Sequence, residues 1–127
     1  MGEAGTALTE LLQTLIAWGE RCARVVEGYA RSDFMKNETA QLAAQKCIEA
    51  IGECANKILK LHPEFAAENP QLELLEVYQM RNRLAHGYES VNLTTVWNTS
   101  REDVPNLTIL AASVLAALET AKKSSGQ

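Results

Sequence analysis

Apolar residues recur at three- and four-residue steps along most of the chain, and no stretch alternates with the period of a strand. Over about residues 7–29, Leu8, Leu11, Leu12, Leu15, Trp18, Cys22, Val25, Val26 and Tyr29 make one stripe, with Glu20, Arg21, Arg24 and Glu27 mostly on the other side. This is an amphipathic helix, with Thr6 placed to cap its start. Residues 32–37 break the pattern. A second helix is expected over about 38–61, with Leu42, Ile48, Ile51, Cys54, Ala55, Ile58, Leu59 and Leu61 on its stripe and Pro63 ending it. Gly52 sits mid-helix, where glycine costs about 1 kcal/mol against alanine. The reading is close approach of a neighbouring helix.

Asn69-Pro70 reads as a cap followed by the first position of a third helix, expected over about 70–86. Its stripe is less apolar: Leu72, Leu75, Tyr78 or Gln79, Arg83 and His86. Gly87 is placed to end it as a left-handed residue. Asn92 can cap a fourth helix carrying Val96 and Trp97. Pro105 then permits a kink or a fresh start, with Asp103 as a cap, and Leu107, Leu110, Val114, Leu115 and Leu118 form the last stripe. The expected fold is all-α, an antiparallel bundle of four to five helices in one domain spanning residues 1–127, with a polar tail from about 122. Trp18 and Trp97 read as core, and Tyr29 and Tyr78 as core or interface aromatics with a polar tip.

Composition narrows the class. The 127 residues are 46% hydrophobic and 22% charged, ordinary for a globular domain, and 7 glycines and 3 prolines leave room for long helices. A net charge of −4 argues against a coat on duplex nucleic acid, whose affinity comes mainly from phosphate neutralisation. Transient contact with RNA at a small basic site remains open. Three cysteines, an odd number, with no signal peptide recognised, point to a reducing, cytoplasmic setting. Cys47 and Cys54 are seven apart and read as small core residues on one face. No ligand cluster at metal spacing occurs, so no metal or other cofactor is expected. No apolar run is expected to reach the length of a membrane span, and the Met1-Gly2 acylation match and the four Asn-x-Thr/Ser matches read as chance.

Candidate chemistry concentrates in Arg81-Asn82-Arg83-Leu84-Ala85-His86-Gly87-Tyr88. The other histidine, His62, precedes Pro63 and reads as a solvated or helix-end residue. On a regular helix Asn82 and His86 share a face, and Arg83 borders it. Arg81 is five before His86 and points well round the cylinder. The two converge only if the helix loosens near Gly87 or if a second chain contributes its own copy. An imidazole moves protons near neutrality, and a guanidinium matches phosphate oxygens. Together they suit attack of an RNA 2′-hydroxyl on its own phosphate. From spacing alone, a solvated or capping arrangement stays open beside this one.

The chain resembles the HepT-like toxins of the HEPN superfamily. Arg81, His86 and Tyr88 match the family's Arg-x4-His-x-Tyr motif. Ile51-Gly52-Glu53-Cys54-Ala55 resembles its Ile-Gly-Glu-Ala element, and His62-Pro63-Glu64 the turn that follows. The run from Val91 to Trp97 and then Arg101 to Leu107 resembles the segment after the motif. Departures fall at Gly87, at Glu89-Ser90 in place of an aromatic-glycine pair, at Asn92 in place of aspartate, and at Asn69-Pro70. The resemblance implies a homodimer with a composite cleft and metal-independent ribonuclease activity. It assigns phosphate stabilisation to Arg81, proton transfer to His86 and geometric support to Asn82, with Arg83 beside them. It also implies a minimal nucleotidyltransferase antitoxin that adenylylates Tyr88, adding charge and bulk where RNA must enter. Two other readings stay open: a non-catalytic HEPN module presenting substrate to a nucleotidyltransferase, and a purely structural helical dimer.

Overall fold

The computed structural model describes residues 7–86 and 92–124, the side chains of residues 85 and 86 apart. Among the described residues every regular element is helical. Helix α1 spans Leu8–Glu27, α2 Arg31–Phe34, α3 Glu38–Leu61, α4 Pro63–Glu68, α5 Leu74–His86, α6 Leu93–Asn98 and α7 Val104–Ser124. A 3₁₀ turn, Pro70–Leu72, precedes α5, and a π-type turn, Thr99–Asp103, joins α6 to α7. The expected all-α bundle is therefore what forms, with four long helices and short connecting ones.

Helix α3 is the axis of the packing. It lies against α1 on one side and α5 on the other, and α1 carries α7 on its far flank. Its inward stripe is Ala40, Ala44, Cys47, Ile48, Ile51, Cys54, Ala55 and Ile58. Leu42 lies two residues from both Ala40 and Ala44, on the opposite side of the cylinder. It is exposed, contrary to its expected place in the stripe, and Leu61 at the helix end is exposed as well. Asn37 caps the helix, its Oδ1 accepting from Ala40 N at 2.9 Å. The segment expected to be irregular contains α2, whose Phe34 is fully buried and meets Trp97 at 5.1 Å between ring centroids.

Two sequence expectations at helix boundaries change. Ala7 occupies the cap position of α1 and makes no side-chain cap bond, and Thr6 lies outside the described residues. Helix α3 ends before Pro63 as expected, and the short α4 begins at Pro63 itself, a proline tolerated in a first helical turn where no N–H is needed. The third long helix starts at Leu74 instead of Pro70. Glu73 adopts a left-handed conformation (φ 50°), which ends the 3₁₀ turn and resets the helical phase. Leu75 consequently turns outward, and Leu74, Val77, Tyr78, Arg81 and Leu84 form the inward face of α5. Asn92 does cap α6, accepting from Thr95 N at 3.1 Å. Gly87, Tyr88 and Glu89-Ser90 lie outside the described residues.

Helices α5 and α7 face each other across a cleft of about 220 Å³ instead of packing together. Ile48 and Ile51 of α3 floor it, Val77, Met80 and Arg83 form one wall, and Leu107 and Leu110 the other. Helix α7 buries only Val104, Leu107 and Ala111, while Ile109 is 68% exposed. The continuous helical run Leu93–Ser124 is long and apolar enough to cross a membrane by length and composition, although its inner stripe packs on α1. The sequence reading missed this because it treated the segments on either side of Pro105 separately. The π-type turn lets the helix continue through the region of the proline's missing N–H.

Candidate functional site

The first turns of α5 are set by the phase change at Glu73, which directs position 81 towards α3. A charged residue on an inward stripe needs space and a partner, and α3 provides both. A methyl group added at Gly52 would collide with Arg81 Cβ and lie 2.6 Å from its Cγ, with the Arg81 Cα only 3.5 Å away. Only a glycine admits the stem of Arg81 at this crossing, which accounts for the glycine in mid-helix. The next residue, Glu53, lies 3.4 Å from Arg81 Nη2 through its Oε1. On the other side Arg81 Nη1 donates to Asn82 Oδ1 at 3.0 Å. Arg81 Nε is buried with no hydrogen-bond partner, a cost of about 1–3 kcal/mol for a desolvated donor.

The guanidinium is thus held by two partners, with the stem fixed against Gly52, while the side chain stays 23% exposed. Glu53 is 48% exposed, so the ion pair is screened and contributes at most about 1 kcal/mol. Its main effect is orientation. A guanidinium has five N–H donors. Nε is buried, one Nη1 hydrogen goes to Asn82 and one Nη2 hydrogen faces Glu53, which leaves one N–H on each terminal nitrogen for an incoming anion.

Among the described residues of the motif, Arg83 does not join Arg81. Arg83 is exposed and stands roughly 200° round the helix from it, lining the α5–α7 cleft with its Nη2 3.9 Å from Met80 Sδ. Helix α5 stays helical through His86, so the backbone positions of Arg81 and His86 are about 140° apart on the cylinder. No loosening within α5 brings them together. The side chain of His86 and all of Tyr88 lie outside the described residues.

Sequence reasoning singled out Gly52 and Arg81 separately but did not join them, and it gave Glu53 no role at the site. The cue was present: the Ile51-Gly52-Glu53 element and the motif are both unusual on otherwise regular helices. The facing acids Glu73 and Glu76 were also missed. Glu73 is held above the usual carboxylate range by sharing a hydrogen bond with Glu76 and by the charges of Glu76 and Asp103.

Comparison with known proteins bears on this arrangement. Similar proteins include one from Methanocaldococcus jannaschii named "Putative RNase MJ1216", 32% identical over 75 residues, covering 59% of this chain and 60% of that protein. "Probable ribonuclease HepT" of Thermococcus cleftensis is 32% identical over 75 residues, covering 59% and 66%. "Putative RNase TTE0752" of Caldanaerobacter subterraneus subsp. tengcongensis is 30% identical over 82 residues, covering 65% and 70%. The chain thus spans about three fifths of the length of the first two M. jannaschii relatives it matches, at 60% and 62%. No solved structure matches it. The family profile described as "Ribonuclease HepT-like" matches residues 16–114, which include Gly52, Glu53 and the whole Arg81–Tyr88 segment. The chain belongs to the HepT-like ribonuclease family.

Proposed function

We propose that this chain is an RNA endonuclease that cleaves by 2′-hydroxyl attack without a metal ion, and that it acts as the toxin of a toxin–antitoxin pair. The observation that carries this reading is the seating of Arg81. Gly52 admits its stem, Glu53 and Asn82 orient its guanidinium, and these partners leave two N–H groups of the terminal nitrogens for a phosphate. In this reading Arg81 stabilises the charge growing on the phosphate, His86 transfers the proton, and Asn82 holds the guanidinium in place. Arg83, on the cleft face, contacts the RNA backbone.

Because Arg81 and His86 diverge on one helix, the working site is composite, with the arginine of one protomer opposite the histidine of a second. The apolar α5–α7 cleft and the exposed Ile109 supply surface for a homodimer. The antitoxin is a minimal nucleotidyltransferase that adenylylates Tyr88. The protein is placed in the cytoplasm.

The test is cleavage of a structured RNA by purified chain in excess EDTA. Cleavage is expected to persist, and Arg81→Ala and His86→Ala each to reduce it by at least about 100-fold. Full activity of either variant would overturn the assignment. Mixing the two inactive variants is expected to restore part of the activity, because heterodimers carry one intact composite site. Intact mass of the chain co-expressed with its nucleotidyltransferase tests the Tyr88 modification.

One observation favours a second reading. Arg81 is already paired with a carboxylate and largely covered, as a structural arginine would be. A non-catalytic module that presents substrate to a nucleotidyltransferase would show no cleavage, and its complex would survive Arg81→Ala.

A further inference from the structure

We propose that Cys22 and Cys47 form a thiol pair that a hydroperoxide, entering through a basic depression over Cys47, converts into a disulfide across the α1–α3 seam. The proposal does not rest on the ribonuclease reading.

The three cysteines are reduced and buried, and two of them meet. Cys22 on α1 is fully covered, and Cys47 on α3 is 3% exposed. Each thiol is the largest influence on the other's titration, which puts the two sulfurs within interaction range where α1 packs on α3. The surface over the seam agrees with that placement. A shallow depression at the seam is lined by Trp18, Arg21 and Arg24 of α1 and by Ala43, Lys46 and Cys47 of α3. Arg21 and Val25, which flank Cys22 on α1 at helical spacing, border the same depression. Cys47 is therefore the sulfur that lines the depression, and Cys22 lies buried on α1 between residues that border it.

The surroundings favour a thiolate. The bond from the Cys47 thiol draws Cys22 down to about 7, against the opposing effect of burial, and the nearby Ser100 hydroxyl adds to the lowering. Donating that bond, together with burial, pushes Cys47 up, while the Arg21 and Arg24 charges act in the opposite direction. The lowering at Cys22 eases loss of one proton from the pair, and transfer of the remaining proton from Cys47 to Cys22 puts the charge on the sulfur at the depression. Cys54, pushed up chiefly by burial and influenced otherwise by the charges of Lys57 and Glu53, serves as the internal control.

The reaction balances. The Cys47 thiolate attacks one oxygen of hydrogen peroxide, the O–O bond breaks, and the departing hydroxide takes the Cys22 proton and leaves as water, which makes Cys22 a thiolate. The Cys22 thiolate then attacks the Cys47 sulfur, the S–O bond breaks, and a second water leaves. Two thiols are oxidised and one hydroperoxide is reduced.

The experiment treats the full chain with hydrogen peroxide, blocks remaining thiols with iodoacetamide in denaturant, and maps peptides without reduction. The expected product is a single linked species joining the Cys22 and Cys47 peptides, lighter than their sum by two hydrogen atoms. Cys54 should be fully alkylated, dithiothreitol should reverse the link, and the oxidised chain should melt at a higher temperature. Cys47→Ser should abolish the link. Three alkylatable thiols after treatment, a link to Cys54, or a link that persists in Cys47→Ser would each overturn the proposal.

Discussion

Replacing Gly52 by alanine sets two effects of known size against each other. In an exposed helix the change stabilises by about 1 kcal/mol, because glycine has more backbone freedom to lose on folding. Here the new methyl group meets the Cβ of Arg81 and lies 2.6 Å from its Cγ. These atoms are not the end of a flexible side chain. Cβ is fixed to the α5 backbone, and Arg81 Cα is itself within 3.5 Å, so relief requires α5 to move away from α3. Overpacking of this kind costs about 1–3 kcal/mol. The net expectation is a loss of about 0–2 kcal/mol, or a fall in Tm of up to about 8 °C. The same movement draws Arg81 from Glu53, now at 3.4 Å, and a misplacement near 1 Å reduces catalysis by about 10–100-fold. Thermal melting by circular dichroism and an RNA cleavage assay read the two consequences separately. Gly28→Ala is the control, since nothing lies within 4 Å of a methyl group there. A Gly52→Ala variant more stable than the parent, with unchanged cleavage, would refute the claim that this glycine seats the arginine.

Other changes probe single features. Glu53→Gln removes the charge but keeps the shape: stability should change by less than about 1 kcal/mol in chemical denaturation, while cleavage falls because Arg81 loses its orienting partner. Asn37→Ala deletes the cap of α3 and should cost about 1 kcal/mol, read as a lower denaturation midpoint. Glu73→Asn replaces a left-handed glutamate by a residue that tolerates that backbone and removes a charge facing Glu76 and Asp103. Its Tm should rise by a few degrees at neutral pH. The sign follows from the raised carboxyl: folding favours its protonated form, so stability falls as pH rises through the carboxylate range, and the charge part of the gain should vanish in acid, where the parent's Glu73 is itself uncharged.

Local periodicity determined much of this protein without help from tertiary structure. The three- and four-residue spacing of Leu11, Leu15 and Cys22, and of Ile48, Ile51, Cys54 and Ile58, is enough to specify amphipathic helices, because burying such a stripe dominates local preference. The bounds of α3 and the cap at Asn92 could be read directly, since both depend on neighbours a few residues away. The chemical types at 81, 86 and 88 were equally legible, and so was the need for a close approach at Gly52. What the sequence did not contain was phase and partnership. One left-handed residue, Glu73, rotates everything after it, so Leu75 turns to solvent and Arg81 turns to α3, and no pattern of apolar positions reveals a single backbone dihedral. The pairing of Gly52 and Glu53 with Arg81, and of Cys22 with Cys47, joins residues far apart in the chain. Such contacts depend on how whole helices cross, and only the tertiary structure decides that.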